Sequence, residues 1–87
     1  MTYYVYILQS EKDDGFYIGQ TQDLNLRLAM HNSGRSKYTR AKGPWKLYAS
    51  RELGNRSEAV KMERKLKNLG SKDRIMHFLQ SNNFQMY

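Results

Sequence analysis

Tyr3-Tyr4-Val5-Tyr6-Ile7-Leu8 and, after a polar break, Phe16-Tyr17-Ile18-Gly19 are the stretches that decide the fold. The first is β-branched and aromatic on both of its alternating faces, which suits a central strand covered from both sides. Between the two, Glu11-Lys12-Asp13-Asp14-Gly15 supplies turn formers, so the pair predicts a β-hairpin. With Leu8 set opposite Gly15, Tyr6 falls opposite Tyr17 and the two hydroxyls converge on one face. A slip of one residue would break that convergence.

Working outward, Asp23 is placed to N-cap a helix that runs to about Ser33 and stops at Gly34. At about 100° per residue, Leu24 and Leu28 share a stripe, Arg27 and His31 flank it, and Leu26 and Met30 lie on the opposite side. Gly34 to Pro44 reads as a loop by its Gly, Ser and Pro content. Trp45, Leu47, Ala49 and Leu53 then alternate with Lys46, Tyr48, Ser50 and Glu52, predicting a third strand with one core face. Asn55 and Glu58 resemble a capping box, opening a helix with Ala59, Met62, Leu66 and Leu69 on one stripe. Glu63 falls about 80° from the centre of that stripe, at the core boundary. Ser71 caps a last helix through about Gln80, whose His77 is read as a surface or packing residue. The order predicts an α+β domain, a small three-stranded antiparallel sheet flanked by helices in the order β-β-α-β-α-α. Residues 1–80 are expected to form the folded domain, and the uncharged residues 81–87, which show no period, a flexible C-terminal tail.

Composition bounds what such a domain can be. Its 87 residues hold one small core, and the absence of cysteine excludes disulfides and thiolate metal sites. Two histidines are too few for a zinc cluster. The longest apolar run, Tyr3 to Leu8, is far short of the roughly 18 residues that span a bilayer, so a soluble, cytoplasmic chain is expected. The net charge is +7, and its distribution matters more than its total. Residues 24–51 hold Arg27, Arg35, Lys37, Arg40, Lys42, Lys46 and Arg51 with no acidic residue, while positive and negative charges elsewhere cancel. A local field of one sign attracts polyanions. The plainer reading is a solvated basic surface that serves solubility.

Tyr6, Tyr17, Arg27, His31 and Glu63 each have an ordinary explanation alone, as packed tyrosines, surface Arg and His, and an exposed Glu63–Lys67 pair. Their ordered series does not. Tyr4-Val5-Tyr6, Tyr17-Ile18-Gly19, Thr21, Asp23-Leu24 leading to Arg27-Leu28, His31-Asn32-Ser33-Gly34, Pro44-Trp45, and Arg56-Ser57-Glu58-Ala59 running to Glu63 and Lys67 resemble the GIY-YIG nuclease family. The likeness is greatest to small single-domain members related to the N-terminal domain of excinuclease C, and it extends from residue 3 to about residue 75. Tyr4 stands where the first motif has Gly, and Val5 where it has Ile; the motif's chemical residue, Tyr6, is kept.

The resemblance implies a metal-dependent DNA endonuclease that hydrolyses phosphodiester bonds in repair, recombination or mobile-DNA processing. It implies a single Mg²⁺ or Mn²⁺ held by Glu63 with water, and Arg27 bridging phosphate oxygens through its planar fork. It also implies Tyr6 as general base, with Tyr17 and His31 as positioning or relay partners. A free phenol of pKa about 10 is scarcely ionised at pH 7, so such a base needs help. Arg35, Lys37, Arg40, Lys42 and Lys46 are then expected to contact the DNA backbone. Tyr38 and Trp45 are able to stack on an unpaired base, a core role suiting Trp45 better. Larger members add targeting domains, so a protein partner is the expected source of target choice. The alternatives are a nucleic-acid-binding module without turnover and, of another class, a protein-interaction adaptor.

Overall fold

Residues 2–87 are described by a computed structural model. The hairpin comes first, with β1 (Tyr3–Ser10) antiparallel to β2 (Phe16–Thr21). It closes tighter than the sequence suggests. Ser10 N–H donates to the Gly15 carbonyl at 2.8 Å, so the turn is residues 11–14, and the Ser10 hydroxyl accepts from the Lys12 and Asp13 amides. Asp14 takes a positive φ of 61°, a conformation that Asp tolerates. The register therefore sets Leu8 opposite Tyr17 and Tyr6 opposite Gly19, correcting the expected pairing of Leu8 with Gly15. A shift of two residues preserves the face, so Tyr17 still sits beside Tyr6, with ring centroids 6.4 Å apart.

Helix α1 (Leu24–Asn32) starts where Asp23 Oδ1 accepts from the Leu26 amide and ends before Gly34, at φ +80°. Strand β3 (Trp45–Leu53) pairs with the other side of β1. Helix α2 (Arg56–Asn68) is capped by Asn55, and α3 (Lys72–Ser81) by Ser71. The sheet has four strands, not three: β4 (Gln85–Met86) pairs with β3, in the order β2-β1-β3-β4. Residues 81–87, expected as a flexible tail, carry this strand because an apolar anchor holds it. Phe84 is 8% exposed within the main core, and Tyr87 donates its backbone N–H to the Tyr48 carbonyl and shares a 2.7 Å hydrogen bond with Ser50.

Central β1 buries side chains on both faces, as expected. Val5 and Ile7 join Ile18, Ala49, Leu53 and the α2 and α3 residues Ala59, Leu66, Ile75 and Leu79. Tyr6 and Leu8 join Trp45 on the other face, packed by Tyr17, Leu47 and the α1 residues Leu24 and Leu28. Strand β3 does not keep the single core face its alternation predicts. The register with β1 shifts between Ile7 and Leu8, setting Ala49 opposite Ile7 but Leu47 opposite Leu8. The extra residue at this bulge turns Trp45 and Leu47 to the α1 face, while Ala49 and Leu53 stay with α2 and α3. Phe84→Ala should lower the unfolding free energy by about 3 kcal/mol, the usual cost of emptying a buried aromatic site. Urea unfolding reads this, and a change under about 0.5 kcal/mol would show that the terminal strand is not anchored through Phe84.

Candidate active site

Tyr6, at the middle of β1, carries a phenol hydroxyl into the α1 side of the sheet, where Tyr6 and His31 are each 1% exposed. A buried hydroxyl must find partners inside. Arg27 Nε donates to Tyr6 Oη at 3.3 Å, and Tyr6 Oη lies 3.1 Å from His31 Nε2. Both partners come from α1, where four-residue spacing sets them on one edge. His31 Nδ1 is 2.8 Å from Thr39 Oγ1, and Thr39 is fully buried.

Arg27 offers only protons, so the Tyr6 oxygen accepts from it. When the hydroxyl proton is directed at His31 Nε2, His31 takes the tautomer whose Nδ1–H donates to Thr39; in the other tautomer Nε2–H donates to Tyr6 and the Thr39 hydroxyl donates to Nδ1. The charge states agree. Burial pushes the Tyr6 phenol above its usual range, against a downward pull from the Arg27 hydrogen bond, and the nearby charges of Tyr17 and Glu63 add to the rise. Burial and the adjacent Arg27 charge hold His31 below its ordinary value, so the ring rests neutral. Arg27 is raised, chiefly by its bond to Tyr6. At rest, then, Tyr6 is a neutral phenol within hydrogen-bond distance of a neutral imidazole.

Tyr17 packs its ring 4.8 Å from that of His31 and edge-on to Trp45. The structure thus brings four of the five sequence-predicted residues, Tyr6, Tyr17, Arg27 and His31, into one cluster. Glu63 stands apart on α2, whose apolar residues pack on the opposite face of the sheet. Its side chain is only 19% exposed and its Oε2 accepts from Lys67 Nζ at 2.6 Å, yet its charge is felt at Tyr6. Glu63 and Lys67 line a hollow of about 250 Å³. Lys67 also borders a larger one, of about 510 Å³, that reaches Tyr17 and Phe16 along the β2 edge. Among the described residues no three His, Cys, Asp or Glu side chains gather as a metal cluster, and no helix is long and apolar enough to cross a membrane.

Arg35, Lys37, Arg40, Lys42 and Lys46 are all exposed. Lys42 is bonded to Asp13 at 3.2 Å, so its charge is partly matched. The loop that bears most of them is fastened down. The Lys42 carbonyl accepts from the Ser10 hydroxyl at 2.6 Å, and the Pro44 carbonyl accepts from the Glu11 amide at 2.9 Å.

Three residues have roles in the site that the sequence does not assign, Gly19 and Asn32 from the quoted series and Thr39 from outside it. Thr39 orients His31 and, through its carbonyl, accepts from Trp45 Nε1 at 2.7 Å; its signal was being the only β-branched residue of the 34–44 loop. Asn32 clamps Trp45 by both backbone groups, at 2.6 and 2.9 Å. Gly19 is required by contact, since a Cβ there would lie 2.5 Å from Tyr6 Oη.

Gly19→Ala should therefore displace Tyr6 and cost about 1–3 kcal/mol of stability by urea unfolding. Retention of full stability together with an unshifted Tyr6 ring in the NMR spectrum would contradict the contact. His31 should titrate by NMR with a midpoint below 6.5. Because its folded value is depressed, the stability it contributes is complete above pH 6.5 and is lost as pH falls through that lower midpoint. A midpoint above 6.5 would refute the buried, neutral ring.

Residues 2–76 match the family described as the GIY-YIG catalytic domain. The UPF0213 protein BH0048 of Halalkalibacterium halodurans is 41% identical over 70 residues, which are 79% of this chain and 73% of the relative. A UPF0213 protein of Streptococcus pneumoniae serotype 4 is 45% identical over 65 residues, 74% of this chain and 65% of the relative. The UPF0213 protein SAG0778 of Streptococcus agalactiae serotype V is 35% identical over 83 residues, 94% of this chain and 93% of the relative. Among solved structures, the solution NMR structure of the UPF0213 protein BH0048 from Bacillus halodurans matches at a TM-score of 0.60 and 35% identity, covering 94% of this chain and 86% of that one. With sequence and fold agreeing over nearly all of its length, the chain belongs to the GIY-YIG catalytic domain family.

Proposed function

We propose that this domain is a metal-dependent DNA endonuclease that hydrolyses phosphodiester bonds, serving DNA repair, recombination or mobile-DNA processing. Membership of a nuclease family supports the reaction class. The observation that carries the proposal is the Tyr6 hydroxyl held between Arg27 Nε and His31 Nε2.

Hydrolysis needs a water relieved of a proton as it attacks phosphorus. Tyr6 takes that proton on its oxygen while passing its own to His31 Nε2, so no free phenolate has to form in advance. His31 becomes an imidazolium whose Nδ1–H is still held by Thr39, and Tyr17 packs the ring in place. Burial and Arg27 make that imidazolium a poor resting state, which favours returning the proton to the departing oxygen or to solvent. With Nε committed to Tyr6, the guanidinium of Arg27 has its Nη edge for phosphate oxygens.

Glu63 suits a hard cation. It offers a partly shielded carboxylate, and Mg²⁺ or Mn²⁺ accepts one or two such oxygens while keeping water and substrate phosphate as its other ligands. A divalent ion bound there would supply Lewis-acid stabilisation of charge developing on the phosphoryl oxygens. Lys67, which now neutralises Glu63, would exchange its carboxylate partner for phosphate.

Glu63→Ala and Arg27→Ala should each slow nicking of plasmid and branched DNA in Mg²⁺ or Mn²⁺ by about 100-fold or more. Activity that survives in both variants would sink the assignment, and salt-sensitive binding without cleavage would leave a binding module instead. The acid limb of the rate profile should lie below pH 6.5, since only neutral His31 can accept the proton. An acid limb above pH 6.5 would remove His31 from the relay.

A further inference from the structure

Tyr38 is 84% exposed, more than any other large apolar side chain among the described residues, whereas of the other aromatics of the basic window Trp45 is buried at 6% and Tyr48 packs against Phe16 with ring centroids 4.8 Å apart. Tyr38 projects from a turn that is otherwise fixed. The Ser36 carbonyl accepts from the Thr39 and Arg40 amides at 3.3 and 3.1 Å, and the Thr39 carbonyl accepts from the Lys42 amide at 3.1 Å. The next residue in the chain, Thr39, is buried and bonded to His31. Exposed Arg35, Lys37 and Arg40 surround Tyr38 in sequence, with no acidic residue between 24 and 51.

Cations alone recognise any polyanion and give no reason for an aromatic ring among them. An exposed ring with cations beside it in the chain matches one chemical partner, a nucleic acid strand whose base is free to leave its own stack. The cations hold phosphates while the ring receives the base face. A paired duplex base has both faces covered by its neighbours and cannot use the ring. Resting on the nuclease reading, we propose that Tyr38 is a stacking platform for an unpaired nucleobase of the substrate strand. Through Thr39, that platform is at a fixed distance along the chain from His31, so a base seated on Tyr38 sets the register of the strand across the Tyr6–His31 cluster. Tyr38 is thus a specificity-determining residue that selects DNA containing unpaired nucleotides, such as flaps, gaps, bubbles or single strands.

Binding without cleavage tests this independently of catalysis. Fluorescence anisotropy in EDTA would compare a short labelled single strand, the same strand made abasic, and the corresponding duplex, using the wild type, Tyr38→Ala and Tyr38→Trp. Tyr38→Ala should lose about 5- to 150-fold in affinity for the single strand, the range of one base stacked on one aromatic ring. It should change by less than about 2-fold on the abasic strand and the duplex, where only phosphates are held. Tyr38→Trp should bind the single strand at least as well as wild type. Equal affinity of wild type and Tyr38→Ala for the single strand would overturn the platform, as would an equal loss on all three ligands. A wild type that binds no nucleic acid overturns the nuclease reading together with the platform. A wild type that shows the Tyr38 dependence but never cleaves overturns only the catalytic reading.

Discussion

A phenol hydroxyl placed inside a sheet that is covered on both faces must be given its hydrogen bonds there, and much of this structure follows from that requirement. Tyr6 sits on the central strand, so its partners can come only from the element laid over that face or from the neighbouring strand. Helix α1 supplies Arg27 and His31 from one edge. The neighbouring strand contributes by omission, since Gly19 opposite Tyr6 leaves room for the ring. An unmade bond at such a position costs about 1–3 kcal/mol, a large share of the stability of a domain this size. The Tyr6, Arg27, His31 and Thr39 network is therefore structural before it is chemical. Its chemistry comes from the same burial that holds the phenol and the imidazole both neutral.

The two sides of β1 divide their work. Val5 and Ile7 face the larger apolar core, shared with Phe84 and with α2 and α3. Tyr6 and Leu8 face aromatic and polar neighbours under α1. The bulge in β3 lets a single strand serve both, delivering Trp45 and Leu47 to one side and Ala49 and Leu53 to the other. Glu63 belongs to the helix that packs on the Val5 and Ile7 side, but its charge reaches Tyr6 on the other, so the candidate site depends on the packing of both layers.

Elements with strong local signals were legible. Asp23, Asn55 and Ser71 cap the helices the sequence assigns them, and the doubly covered β1 follows from its apolar residues on both faces. The hairpin register was not legible, because Ser10 and Asp14 make a turn whose length depends on a side-chain bond and a positive φ. Strand β4 was hidden by its two-residue length and by an anchor, Phe84, that lacks any periodic companion. Tyr6, Tyr17, Arg27 and His31 stand together in the series that resembles the GIY-YIG family, and the structure brings their side chains into one cluster. Thr39 was not legible, since its role arises from a loop folded back over α1, a contact no local pattern encodes.

That folded-back loop is tied at Ser10, Glu11, Asp13 and Trp45 to elements of the hairpin and sheet. Freezing a flexible segment costs about 1–2 kcal/mol per residue in backbone entropy, and flexible basic loops meet that cost each time they grip a polyanion. Here the folding of the domain has met it already. On the proposed reading, contacts of Arg35, Lys37, Tyr38 and Arg40 with a nucleic acid would oppose mainly the ordering of their own side chains. Even a few such contacts would then translate into measurable affinity, on a surface too small for an extensive interface.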